Sequence, residues 1–184
     1  MVHSLGIPQT CHIGIQQYRD WLFTFAIVRN PWDRLVSAYT YLLRGGRTAN
    51  DVNARTKYLN SGAMSFEELV HGLATDTKRF MQIDHFKPMS WFLCDRDGNI
   101  LADYVGRFEQ LQKAFNRICD LVGIQRYVLP PDNVGKHRDY KDYYTPELRE
   151  LVGKLYGRDA EIFGYDYSNS DIQDVVVHDS RLNG

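Results

Sequence analysis

Trp21-Leu22-Phe23-Thr24-Phe25-Ala26-Ile27-Val28, running directly into Arg29-Asn30-Pro31-Trp32-Asp33-Arg34, decides the fold class of this chain. An apolar run interrupted only by Thr24 has the pattern of a strand covered on both faces, and such strands belong to α/β sheets. The punctuation that follows is a helix start: Pro31 suits the first helical position, Asn30 the N-cap, and Asp33 sits three residues after that cap. Leu35, Val36, Tyr39, Leu42 and Leu43 then fall at helical spacing until Gly45-Gly46 stops the run. The local reading is strand, tight turn, helix.

Outward from there, residues 47–64 are polar and rich in Asn and Arg, which reads as a surface loop. Ser65-Phe66-Glu67-Glu68 is a capping box opening a short helix with Phe66, Leu69, Val70 and Leu73 as its stripe. Trp91-Phe92-Leu93-Cys94, a Gly98-bearing turn and Ile100 to Phe108 read as a hairpin. A helix is predicted from about Glu109 to Gly123, with Leu111, Phe115, Ile118 and Val122 inward. Tyr127-Val128-Leu129 reads as a short strand stopped by Pro130-Pro131. Thr145-Pro146-Glu147 opens the last helix, and 168–184 loses periodicity, with Val175-Val176-Val177 as a candidate edge strand.

The 184 residues suit one domain, here 1–167 with a loose tail at 168–184. Hydrophobic residues at 43% and aromatics at 13% supply a core and argue against a disordered chain. Lys plus Arg is 22 against 23 Asp plus Glu, so no global basic field exists and a nucleic-acid-coating role is excluded. Cys11, Cys94 and Cys119 are too few and scattered for a disulfide framework or a zinc site. They suit a reducing, cytoplasmic compartment. The eight-residue apolar run is too short to span a bilayer, and the first twenty residues lack the pattern of a signal peptide.

A helix N-terminus at the carboxyl end of a parallel strand is an anion site in principle, because amides and dipole point outward there. Arg29 sits at the strand end, where a guanidinium can grip a phosphate in bidentate fashion. Ser37 lies two turns into the helix and can face back toward the same point. The competing reading pairs Arg29 with Asp33 and makes Ser37 a small packing residue.

Phe25 to Tyr39, with Arg29 and Ser37 inside it, resembles the 3′-phosphate-binding motif of sulfotransferases, in the branch that contains carbohydrate sulfotransferases and their bacterial relatives. His85-Phe86-Lys87-Pro88 with Leu93-Cys94, Val105-Gly106-Arg107-Phe108-Glu109, and Tyr140 to Tyr144 with Phe163-Gly164-Tyr165 resemble further pieces of that branch in order. The resemblance implies a P-loop-NTPase-like sulfotransferase fold, a parallel sheet flanked by helices. It implies 3′-phosphoadenosine 5′-phosphosulfate as donor, no metal, and a carbohydrate hydroxyl or an amine as acceptor. It assigns the 3′-phosphate to Arg29 and Ser37, a donor-closing loop to Lys136, and the catalytic base to His12 or His85. Trp91, Phe92, Tyr143 and Tyr144 are candidates for stacking on sugar rings, with a core role favoured for Trp91 and Phe92.

The family's first strand and its phosphosulfate-binding loop have no clear counterpart. Ile7-Pro8-Gln9-Thr10 carries Gln9 where that loop has lysine. The expectation is therefore a chain that begins late, lacks that loop, and leaves the 23–28 strand with an open apolar edge suited to the missing segment or a second copy. Weak transfer by the chain alone follows from that expectation. Two other readings stay open: a non-catalytic module that keeps the 3′-phosphoadenosine pocket, and an unrelated α/β nucleotide binder.

Overall fold

Residues 22–130 and 138–169, with the backbone of 175–176, are described by the computed structural model of the chain. In chain order its elements are β1 (Phe25–Val28), α1 (Pro31–Leu43), α2 (Ala49–Tyr58), α3 (Phe66–Thr75), α4 (Thr77–Phe80), α5 (Ser90–Leu93), β2 (Tyr104–Arg107), α6 (Leu111–Val122), α7 (Pro146–Leu155), α8 (Gly157–Phe163) and β3 (Val175–Val176). This is the mixed, helix-rich α/β architecture that the strand–turn–helix reading requires. Two compact units are present among the described residues: 22–28 with 89–129 and 175–176, and 29–88 with 130 and 138–169.

The first unit holds the sheet, in the order β1-β2-β3. β1 and β2 are parallel, in register from Phe25 against Tyr104 to Val28 against Arg107, and β3 adds antiparallel to β2. The register is fixed at its amino end by one carboxylate. Asp103 accepts from the Thr24 amide at 2.7 Å and from the Thr24 hydroxyl at 2.8 Å, while its own amide donates to the Thr24 carbonyl. Tyr104, Ala114 and Ile118 form the core between sheet and α6, with Phe23, Ile27 and Leu121 packed against it. α6 comes this close because Gly106 has no side chain: a Cβ there would lie 2.5 Å from the Cβ of Ala114. Gly106→Val is accordingly expected to destabilise the chain by about 2 kcal/mol or more through overpacking, measured as a shift of the urea midpoint at unchanged slope.

Several expectations are corrected in this unit. The first strand is four residues long and is covered only toward its carboxyl end: Val28 is fully buried and Ile27 packs against the α6 core, whereas Phe25 is 54% exposed. The expected hairpin reduces to a single antiparallel bridge between Cys94 and Ile100. The Asp95 carboxylate accepts from the Asp97 and Asn99 amides and from the Asn99 side chain, which closes a turn too tight to extend into a ladder. Trp91-Phe92-Leu93 is helical, and Phe92 is exposed rather than core. Tyr127-Val128-Leu129 forms no strand. The Gln112 side chain takes the place of a partner strand, donating to the Tyr127 carbonyl and accepting from the Leu129 amide.

The second unit is helical. α1 packs against α2 and α7, and α3 against α7. Phe66 is ringed edge-on by Tyr39, Tyr143 and Tyr144. Here 47–64 is not a loop. Thr48 and Asp51 form a capping box that starts α2, a helix polar enough to hide in the sequence. The single C-terminal helix expected from Thr145 is two, α7 and α8, the second ended by Gly164 in the left-handed conformation.

Candidate functional site

The site is built on α1. Its cap is as expected and more heavily used than expected. Asn30 is fully buried, and its side-chain oxygen accepts from the Trp32 and Asp33 amides at 3.0 and 3.4 Å. Its carbonyl takes the Arg34 amide, and its side-chain amide donates to the Asp166 carbonyl and to Asn169. Pro31 has no N–H. The first-turn amides of α1 are thus engaged by Asn30, which corrects the expectation that they face an anion. Recognition at this end of the helix falls to side chains.

Arg29 and Ser37 share a helix face. The Nε of Arg29 donates to Asp33 at 2.7 Å, and Ser37 is four residues beyond Asp33 on the same side of α1. Of the helix, Pro31, Trp32, Leu35, Val36, Ala38, Tyr39, Thr40 and Leu42 are buried, so the stripe Asp33, Ser37, Tyr41 is its main route to solvent. The pairing of Arg29 with Asp33, set out above as the competing reading, is therefore real. It also holds the guanidinium at Asp33, which lies one helical turn before Ser37 on the same side of α1.

Tyr41 ends the stripe at a cluster the sequence did not suggest. Asp51 is buried, and one of its carboxylate oxygens accepts from the Tyr41 hydroxyl (2.8 Å), the Arg47 and Thr48 amides (3.0 and 2.9 Å) and the Thr48 hydroxyl (2.9 Å). The other oxygen meets Nε2 of His85 at 3.0 Å. The Arg47 amide foremost, then His85, hold the Asp51 carboxyl well below the usual carboxylate range, and the hydrogen bond from Tyr41 to Asp51 pushes the Tyr41 hydroxyl up. An ionised Asp51 accepts only, so Nε2 of His85 donates to it, and a neutral imidazole in this place presents Nδ1 as its acceptor. Gly46 makes room for this: a Cβ there would overlap the Asp51 side chain at 2.1 Å. The one sequence signal that could have pointed to Asp51 is its place three residues after Thr48, the spacing of a helix cap.

The segment carrying His85 is clamped from behind. Tyr156 donates to the Phe86 carbonyl at 2.8 Å and Arg34 to the Lys87 carbonyl at 2.6 Å. Burial pushes the Arg34 guanidinium down and the Tyr156 hydroxyl up. The α1 segment from Arg29, the 85–88 stretch and the C-terminal block from Tyr140 thus meet in the second unit. The profile of the Sulfotransferase family matches residues 8–166. The chain belongs to the sulfotransferase family. No curated protein and no solved structure matches it.

Of the side chains assigned to this sulfotransferase-family site, Arg29, Ser37 and His85 are brought onto one helix face or its end. His12 and Lys136 lie outside the described residues, as does Ile7-Pro8-Gln9-Thr10. Tyr144 is not placed for stacking on a ligand: its hydroxyl donates to the Trp32 carbonyl and its ring packs edge-on against Phe66 and Tyr167. Among the described residues no group of three His, Cys, Asp or Glu side chains is placed to hold a metal ion, and no helix is long and apolar enough to cross a membrane.

Proposed function

We propose that this chain binds 3′-phosphoadenosine 5′-phosphosulfate and transfers its sulfonate to a hydroxyl or amine of a carbohydrate acceptor. The observation that carries the reading is the shared face of Arg29 and Ser37 at the start of α1, with Asp33 orienting the guanidinium. A planar fork and a hydroxyl one turn apart suit the tetrahedral, doubly charged 3′-phosphate that separates this donor from ordinary nucleotides. The stripe from Asp33 to Tyr41 spans about 12 Å at the usual helical rise. That is the order of length separating the 3′-phosphate of the donor from its sulfonate. His85 stands at the far end of it, against Tyr41.

In the proposed step the acceptor oxygen or nitrogen forms a bond to sulfur as the bond from sulfur to the 5′-phosphate oxygen breaks. The electron pair leaves on 3′-phosphoadenosine 5′-phosphate, and the acceptor proton passes to Nδ1 of His85. Asp51 fixes the tautomer that makes Nδ1 the acceptor and stabilises the imidazolium that forms. His12 is the other base that the family resemblance offers, and Lys136 the cation for the leaving phosphate. The resemblance alone assigns both.

The test is a thermal-shift and calorimetric titration with 3′-phosphoadenosine 5′-phosphate beside ADP. Binding to the folded state raises the melting temperature with ligand concentration. A rise with the 3′-phosphorylated nucleotide and none with ADP at equal concentration is expected. Equal responses to the two would leave only a generic nucleotide binder.

A further inference from the structure

The sheet-bearing unit carries a surface of its own along α6. Along α6, Lys113 and Arg117 are exposed four residues apart, on one side of a cleft of about 670 Å³ that Asp120 and Arg126 also line. Arg126 grips Asp120 through two nitrogens, at 2.7 and 2.6 Å, which brings a third cation to the same rim. Residues 112–129 hold three cations and one carboxylate in a chain whose overall charge is −1. The basic excess is therefore local.

Beside it lies an apolar set that the core does not use. Gly123 turns the chain in the left-handed conformation at the end of α6. In the segment that follows, Ile124 is 57%, Tyr127 59% and Val128 84% exposed, with Val122 also open. These side chains are presented, not loose. Gln112 bonds the backbone at Tyr127 and Leu129, and the Tyr127 ring meets Phe115 edge-on at 4.7 Å. Single exposed apolar residues are ordinary, but four within seven positions, in the segment that carries Arg126, mark an interaction surface.

We infer that this face docks on an anionic lipid bilayer. The cations suit acidic headgroups, and the apolar side chains beside them suit the headgroup–acyl boundary, which a soluble polyanion does not offer. The surface needs no transmembrane helix, and it is independent of the nucleotide reading of Arg29 and Ser37.

Co-sedimentation of the full chain with vesicles tests this. Binding is expected to phosphatidylcholine vesicles containing about one-third phosphatidylserine, not to phosphatidylcholine alone, and to fall as salt is raised. Lys113→Gln with Arg117→Gln is expected to weaken it by about fivefold for each cation removed. Ile124→Ser with Val128→Ser is expected to weaken it even at low salt, with an unchanged circular-dichroism spectrum, since both sites are exposed. Equal pelleting of parent and both double variants, or equal binding to neutral and anionic vesicles, overturns the proposal. So does retention on a sulfated polysaccharide without vesicle binding, which would reassign the surface to soluble polyanions.

Discussion

Arg29→Ala is expected to weaken binding of 3′-phosphoadenosine 5′-phosphate by about a hundredfold while leaving the affinity for ADP within about twofold of the parent. A charged hydrogen bond contributes about 1.5–3 kcal/mol, so a bidentate grip on the 3′-phosphate is worth about 3 kcal/mol, which is about two decades in Kd. The loss is made worse by what stays behind: Asp33, now without its guanidinium, faces the same anion from 2.7 Å beyond the removed Nε. Arg29→Lys keeps the charge but not the fork, and about a tenfold loss is expected for it. The fold is expected to suffer less, because a single ion pair with 18% and 14% of its side chains accessible contributes on the order of 1 kcal/mol. Ser37→Ala removes a neutral donor, and about a fivefold loss follows from about 1 kcal/mol. Isothermal titration of each variant against both nucleotides checks this. An Arg29→Ala variant that binds the 3′-phosphorylated nucleotide like the parent would place the 3′-phosphate elsewhere and remove the basis for the proposed donor.

That prediction was within reach of the sequence because its parts are local. The end of β1, the Asn30 cap, Pro31 and the Asp33–Ser37 spacing all fall within one strand, one turn and two turns of helix, where propensity and periodicity decide geometry. What the sequence could not show is how the cap is used: the same Asn30 that starts α1 also occupies the amides an anion would need. α2 was hidden for a different reason. Its residues Ala49 to Tyr58 are mostly polar, only Asp51, Ala54 and Tyr58 are buried, and a helix with so thin a stripe looks like a loop. The strand expected at Tyr127 to Leu129 failed because a glutamine side chain supplies the bonds that a neighbouring strand would. The Asp51 cluster draws on Tyr41, Arg47, Thr48 and His85. No local pattern joins those positions, since the last is 34 residues away and reaches Asp51 only through the tertiary clamp of Arg34 and Tyr156.

The same cluster makes Asp51 a position where one substitution should cost the fold heavily. Asp51→Ala leaves the Tyr41 and Thr48 hydroxyls, two backbone amides and the His85 ring without their acceptor, in a place only 7% exposed. At about 1 kcal/mol or more for each unmet buried donor, and with water reaching some of them, a loss of about 3 kcal/mol at neutral pH is expected. Asp51→Asn keeps the shape but exchanges an acceptor of charge-assisted bonds for a neutral amide. It is expected to fall between alanine and the parent. The effect must also depend on pH in one direction. Asp51 ionises more readily folded than unfolded, so its contribution is complete above the unfolded value of about 4 and is lost as the pH falls through the depressed folded value. The stability gap between parent and Asp51→Asn is therefore expected to be widest near pH 7 and to narrow below about pH 4, in urea melts repeated across that range. A gap that stays constant down to pH 3 would mean that the carboxylate charge does not hold the loop, α2 and His85 together. The proposed role of His85 would then lose the ionised partner that sets its tautomer.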